Sequence, residues 1–149
     1  MVIGSLLLLL TACDPNRIFE ENQKLENRSW DVNTPIIFNV NIEDTISAYN
    51  MYINIRNADT YKFSNLYIFM TTTIPQHQFE KDTLQLLLAD EKGKWLGNGL
   101  GDIFESRVLF KNNIRFINKG AYQFKLEQAM RINPLPGILD VGIRIEKVK

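Results

Sequence analysis

Leu139-Asp140-Val141-Gly142-Ile143-Arg144-Ile145-Glu146 alternates apolar with polar side chains. In a strand successive side chains point to opposite faces, so Leu139, Val141, Ile143 and Ile145 share one face while Asp140, Gly142, Arg144 and Glu146 share the other. The same alternation recurs upstream. Ile36, Phe38, Val40 and Ile42 alternate with Ile37, Asn39, Asn41 and Glu43; Tyr49, Met51, Ile53 and Ile55 alternate with Asn50, Tyr52, Asn54 and Arg56. Leu84, Leu86 and Leu88 repeat it, as do Val108 with Phe110 and Tyr122 with Phe124 and Leu126. The run from Leu66 to Ile74 is apolar on both faces and rich in aromatic and β-branched types, which predicts a central strand ended by Pro75.

Turn-forming residues separate these runs at Asn57-Ala58-Asp59, Glu91-Lys92-Gly93, Asn98-Gly99, Asn112-Asn113, Lys119-Gly120 and Pro134-Leu135-Pro136-Gly137. Glu127 to Arg131 offers one short helical turn, and no apolar stripe of helical period persists beyond it. The pattern predicts an all-β fold, an antiparallel β-sandwich of immunoglobulin-like or jelly-roll-like type, occupying residues 34–149 as a single domain.

Composition narrows the function classes. The chain has 149 residues with 17 basic and 17 acidic side chains, so it has no long-range field to gather a polyanion, and nucleic acid is not an expected partner. One Cys and one His cannot complete a disulfide or a four-ligand structural zinc site. An apolar content of 45% suffices for a core without such staples.

The first residues carry a different signal. Val2 to Leu10 is an uncharged run, too short for the roughly 20 residues of a spanning helix but of the length of a secretory leader's apolar segment. It ends at Leu10-Thr11-Ala12-Cys13, which resembles a bacterial lipobox. A small residue before the cut admits a peptidase to the backbone, and the thiol is the group that carries a thioether-linked diacylglycerol. Residues 1–12 are therefore expected to be a cleaved lipoprotein signal peptide and Cys13 the lipidated first residue. No Lys or Arg precedes Cys13, which points to a start codon placed too late. Two or more acyl chains anchor a protein stably without a spanning helix. Residues 13–33 are mostly polar and read as a tether, able to hold a domain tens of ångströms from the lipid at about 3.3 Å per residue. Ile18-Phe19 and Trp30 interrupt it as candidates to dock on the domain as a first edge strand.

Catalytic groups are sparse. His77 has no Gly-x-Ser-x-Gly or comparable nucleophile motif beside it and reads as a loop residue. Asp82, Asp90, Glu91, Asp102 and Glu105 supply carboxylates for glycoside hydrolysis, but no spacing selects a pair. Gly97-Asn98-Gly99-Leu100-Gly101 lacks the Lys-Ser/Thr of a phosphate-binding loop and reads as a turn or bulge. Trp30, Trp95 and the tyrosines at 49, 52, 61, 67 and 122 are core or interface anchors, or alternatively a platform for sugar rings. Neither a catalytic residue nor a metal or cofactor ligand is expected.

Several segments together are similar to one family. They are the lipobox with Asp14-Pro15-Asn16-Arg17-Ile18-Phe19, Ile53 to Asn57 leading into Tyr61 to Leu66, Trp95 to Gly99, Gln128 to Arg131, and Gly137 to Glu146. In order and spacing they resemble the gliding-motility lipoprotein GldH family of Bacteroidota, over nearly the whole chain after the lipobox. The resemblance implies a non-enzymatic lipoprotein of the cell envelope, with an extracytoplasmic domain and the outer membrane favoured. It is expected to act by protein contact with other gliding-motility and type IX secretion proteins. Only Cys13 carries over as a site. A lipid-anchored carbohydrate-binding sandwich for glycan uptake is the alternative.

Overall fold

The computed structural model describes residues 13–76 and 78–149. The leader expected at 1–12 and the loop residue His77 lie outside the described residues. In chain order the strands are β1 (Arg17–Lys24), β2 (Ser29–Trp30), β3 (Ile36–Ile42), β4 (Tyr49–Ala58), β5 (Asn65–Ile74) and β6 (Gln78–Leu87). They are followed by β7 (Asn98–Leu100), β8 (Ile103–Ile114), β9 (Gly120–Gln128), β10 (Leu135–Pro136) and β11 (Ile138–Lys147), and one 3-10 turn, Glu26–Arg28, links β1 to β2. The first sheet has the order β1-β11-β4-β8-β7 and the second β3-β9-β5-β6, while β2 and β10 form a short ribbon. Every pairing is antiparallel. The expected antiparallel β-sandwich is what forms.

The alternating residues explain the layering. Phe38, Ile42, Ile68 and Leu126 from the second sheet and Ile53, Ile55, Val141, Ile143 and Ile145 from the first are all buried in one shared core. In β3 the alternation is perfect, each apolar residue from Ile36 to Ile42 on the even positions buried and each intervening one exposed. Leu139 is an exception in β11. It occupies a bulge between Ile138, opposite Asn57, and Asp140, opposite Arg56, so the strict alternation starts only after it.

Five expectations change in detail. The 13–33 tether shortens, because Arg17–Lys24 hydrogen-bonds along β11 as an edge strand and Trp30 is completely buried, so the sandwich begins ahead of Thr34. Backbone pairing recruits β1 despite its polar sequence, and Phe19 is the side chain it packs on the core. β5 does lie between two strands, but its outer face stays open: Tyr67 is exposed, and Phe69 lies under the Lys81 ammonium, 4.7 Å from the ring centroid. Asn98-Gly99 is not a turn but part of β7, the turn falling at Gly101, whose φ of 64° favours glycine. Asn112-Asn113 bulges within β8 instead of ending it, with Asn113 at φ 53° and its amide donating to the Asn50 side-chain oxygen at 2.9 Å. Glu127 and Gln128 finish β9, so no helical turn forms there.

Candidate functional site

The outer face of the first sheet is built from three cross-strand rows, polar apart from Leu109 and Gly142. Glu20, Arg144, Tyr52 and Leu109 make the first; Asn22, Gly142, Asn54 and Arg107 the second; Asp140, Arg56, Glu105 and Asn98 the third. In an antiparallel sheet such directly opposite residues touch, and opposite charges there attract. Glu20 from the first row, Asn22, Asn54 and Arg107 from the second and all of the third border an open depression of about 470 Å³.

Arg144 is the centre of the first row. Its side chain is 5% exposed and reaches Glu146 at 2.8 Å, Glu20 at 3.5 Å and Asp14. Burial opposes its charge, yet the hydrogen bonds to Asp14 and Glu146 hold its pKa above the usual arginine range. On the other side, the Arg144 hydrogen bond keeps the Asp14 carboxyl below its ordinary value. For Glu20 burial pushes upward, but Asn54, Arg144 and Arg107 outweigh it and lower the pKa. The Tyr52 hydroxyl donates to Glu146 at 2.9 Å.

The second row has a notch. Any Cβ at Gly142 would lie 1.9 Å from the Asn22 side-chain oxygen and 2.6 Å from the Glu21 carbonyl oxygen. Asn22 fills that space and accepts from the Asn54 amide at 3.2 Å, while the same amide donates to Glu20 at 3.1 Å. In the third row Arg56 bridges Glu105 and Asp140, at 3.1 Å to the latter.

Cys13 is exposed at the start of this assembly. Asp14 joins it to the sheet through Arg144, and the Asn16 carbonyl accepts from the Lys147 amide at 2.8 Å. An acylated sulfur at Cys13 would thus sit one residue from a fixed contact. Sequence reading missed this clamp, since the alternation of β11 marks Arg144 as outward without revealing that the polar segment before β1 returns to cover it.

The remaining candidates disperse. Asp82 faces Lys111 at 3.7 Å, Asp90 accepts the amides of Lys92 and Lys94 at 2.9 Å each, and Glu105 is taken by Arg56. The Asp102 carbonyl accepts the Asp59 amide at 2.8 Å, and Glu91 is exposed in a turn. Among the described residues no cluster of three His, Cys, Asp or Glu is placed to hold a metal ion. Gly97 and Gly99 pack against β8, where a Cβ would lie 2.4 Å from the Glu105 carbonyl oxygen and 2.8 Å from the Phe104 ring.

The aromatic residues are mostly inside. Trp30, Tyr49, Tyr61 and Tyr122 are buried, and Trp95 packs between Tyr61 and Phe104 at centroid distances of 6.4 and 5.8 Å. Of the tryptophans and tyrosines only Tyr67 is exposed, which leaves no coplanar exposed pair of them for a sugar ring. Asn57 is buried and its amide donates to the Ala58 carbonyl at 3.0 Å, and the Tyr61 hydroxyl donates to the Asn65 carbonyl at 2.8 Å. These contacts give Asn57, Tyr61 and Trp95 structural roles.

Comparison with known proteins agrees with the extent of the sandwich. The sequence profile of the GldH lipoprotein family matches residues 17–145. A gliding motility lipoprotein GldH homolog of Christiangramia forsetii is 35% identical, over 95% of this chain and 90% of that one. The gliding motility lipoprotein GldH of Flavobacterium johnsoniae is 34% identical, over 97% of this chain and 95% of that one. No solved structure matches. The matched region runs from the first residue of β1 to Ile145 in β11, and by that match the chain belongs to the GldH lipoprotein family.

Proposed function

We propose that this protein is a non-enzymatic envelope component of the gliding-motility apparatus, anchored by lipid on Cys13 and working through contact with neighbouring proteins. The family membership spanning the whole sandwich carries the reading. The lipobox ending at Cys13, and the exposure of that residue beside a sheet to which the chain is clamped, support the anchor. The polar outer face of the first sheet, with Arg56, Arg107, Glu105 and Asn98 partly or fully accessible, suits a protein partner recognised by matched charges and hydrogen bonds. We assign the anchor to the outer membrane, the domain to an extracytoplasmic location and its partners to the gliding and type IX secretion machinery, where it acts in assembly or stability.

Deleting the gene is the direct test. Spreading on agar should be abolished and secretion through the type IX system impaired, with both restored by the wild-type gene and neither by Cys13→Ala. Intact spreading and secretion in a clean deletion would remove the reading.

A further inference from the structure

Ile46 and Ile117 are 85% and 86% exposed, each at the tip of a loop. The first loop, residues 43–48, joins β3 to β4, and the second, residues 115–119, joins β8 to β9. They lie at the same end of the sandwich: Tyr49 is opposite Ile114, Ile42 is opposite Gly120, and the Arg115 Nε donates to the Ile46 carbonyl at 3.0 Å. Phe116, next to Ile117, is buried with its ring 5.4 Å from that of Tyr49 and 5.1 Å from that of Tyr122. The loop is therefore seated by one apolar residue while the next is turned outward. Phe79, 72% exposed, stands near the start of β6 at this end, where Ile74 is opposite Gln78 and Pro75 lies against Gly120.

The anchor leaves the domain near that same end, with Asp14 held by Arg144 three residues before Lys147 in β11. Asn16 accepts from the Lys147 amide, the Val148 amide donates to the Ala48 carbonyl at 2.9 Å, and the Lys147 ammonium lies 3.2 Å from Asp44 in the first loop. Cys13 is three residues before Asn16.

We propose that Ile46 and Ile117, with Phe79 beside them, dip into the bilayer interface as a second membrane contact, so that the sandwich stands on this end with residues 59–64 and 88–97 facing away. The proposal rests on lipidation of Cys13. Acyl chains on Cys13 keep these loops at high effective concentration near lipid, and a few apolar side chains then suffice to hold an orientation. The charges at this end do not oppose it. Asp44 is engaged by Lys147 and by Ser47, while Arg115 and Lys119 flank Ile117 with ammonium and guanidinium groups that suit lipid phosphates, and Glu43 is the remaining acid of the two loops.

The test uses the full lipidated protein in phosphatidylcholine vesicles that contain a spin-labelled quenching lipid. A fluorophore is attached through Lys119→Cys, beside Ile117, or through Lys92→Cys, in the 88–97 loop at the opposite end. Quenching at position 119 should exceed that at position 92 at least about threefold, as expected for interfacial against aqueous positions. The double variant Ile46→Asp with Ile117→Asp should abolish the difference while the protein still floats with the vesicles. Equal quenching at both positions, with flotation intact, would overturn the proposal and leave these side chains to a protein partner. Quenching at 119 that survives the double variant would overturn it too. A wild-type chain that fails to float would instead defeat the Cys13 anchor and this orientation with it.

Discussion

Arg144 gathers three carboxylates, Asp14 and Glu20 from the segment before β2 and Glu146 from its own strand. A guanidinium covered by protein depends on such partners, because its desolvation is offset only by ion pairs and hydrogen bonds. Replacing it with Met keeps the length of the side chain but leaves Asp14 and Glu146 without this cation and Glu20 with only Arg17 and Arg107. After allowing for the partial exposure of those acids, Arg144→Met should destabilise the fold by about 2–3 kcal/mol, measured by urea unfolding. Arg144→Lys should recover only part of this, since an ammonium cannot present the planar fork. Gly142 is constrained sterically. Gly142→Ala must push β1 away from β11, and a loss of about 1–3 kcal/mol with faster amide exchange in β1 is the expected outcome.

At the scale of elements, β1 and the Trp30 ribbon are integral parts of the domain. Trp30 is fully buried and its indole N–H donates to the Thr34 carbonyl at 3.2 Å, so Trp30→Ala should cost about 3–5 kcal/mol in equilibrium unfolding. A chain beginning at Thr34 should fail to give a cooperative transition, whereas one beginning at Arg17 should retain it. β3, β4 and β9 are legible in the sequence because one face of each meets the core and alternation records that directly. β1 is illegible for the opposite reason. At the sheet edge, Phe19 is its only apolar residue packed on the core, and Gln23 reaches the other sheet through its amide, which donates to the Ile37 carbonyl at 2.8 Å. β7 is hidden by Gly99 and the preceding Gly97, whose close packing on β8 resembles turn composition. The candidate site divides the same way. Cys13 is readable from a local motif, while the Asp14–Arg144 contact joins residues 130 positions apart and leaves no local trace.

For the whole molecule, the lowered carboxyls set the response to acid. Asp14, Glu20 and Asp44 are all held below their ordinary values, Asp44 chiefly by hydrogen bonds from Ser47 and Asp14 chiefly by the one from Arg144. Groups with depressed folded pKa values contribute stability that is complete above the unfolded carboxylate pKa of about 4 and is lost as pH falls through the folded value. The urea midpoint should therefore stay level from about pH 7 to about pH 5 and decline below about pH 4. A midpoint unchanged down to about pH 2 would contradict these assignments. The clamp at Asp14 leaves no long linker between the residue that would carry lipid and the sandwich. The mass of the protein purified from its native membrane tests this account most directly. We predict a polypeptide that begins at Cys13 and carries diacylglycerol and a further acyl chain; a free Cys13 thiol with the preceding residues still attached would contradict it.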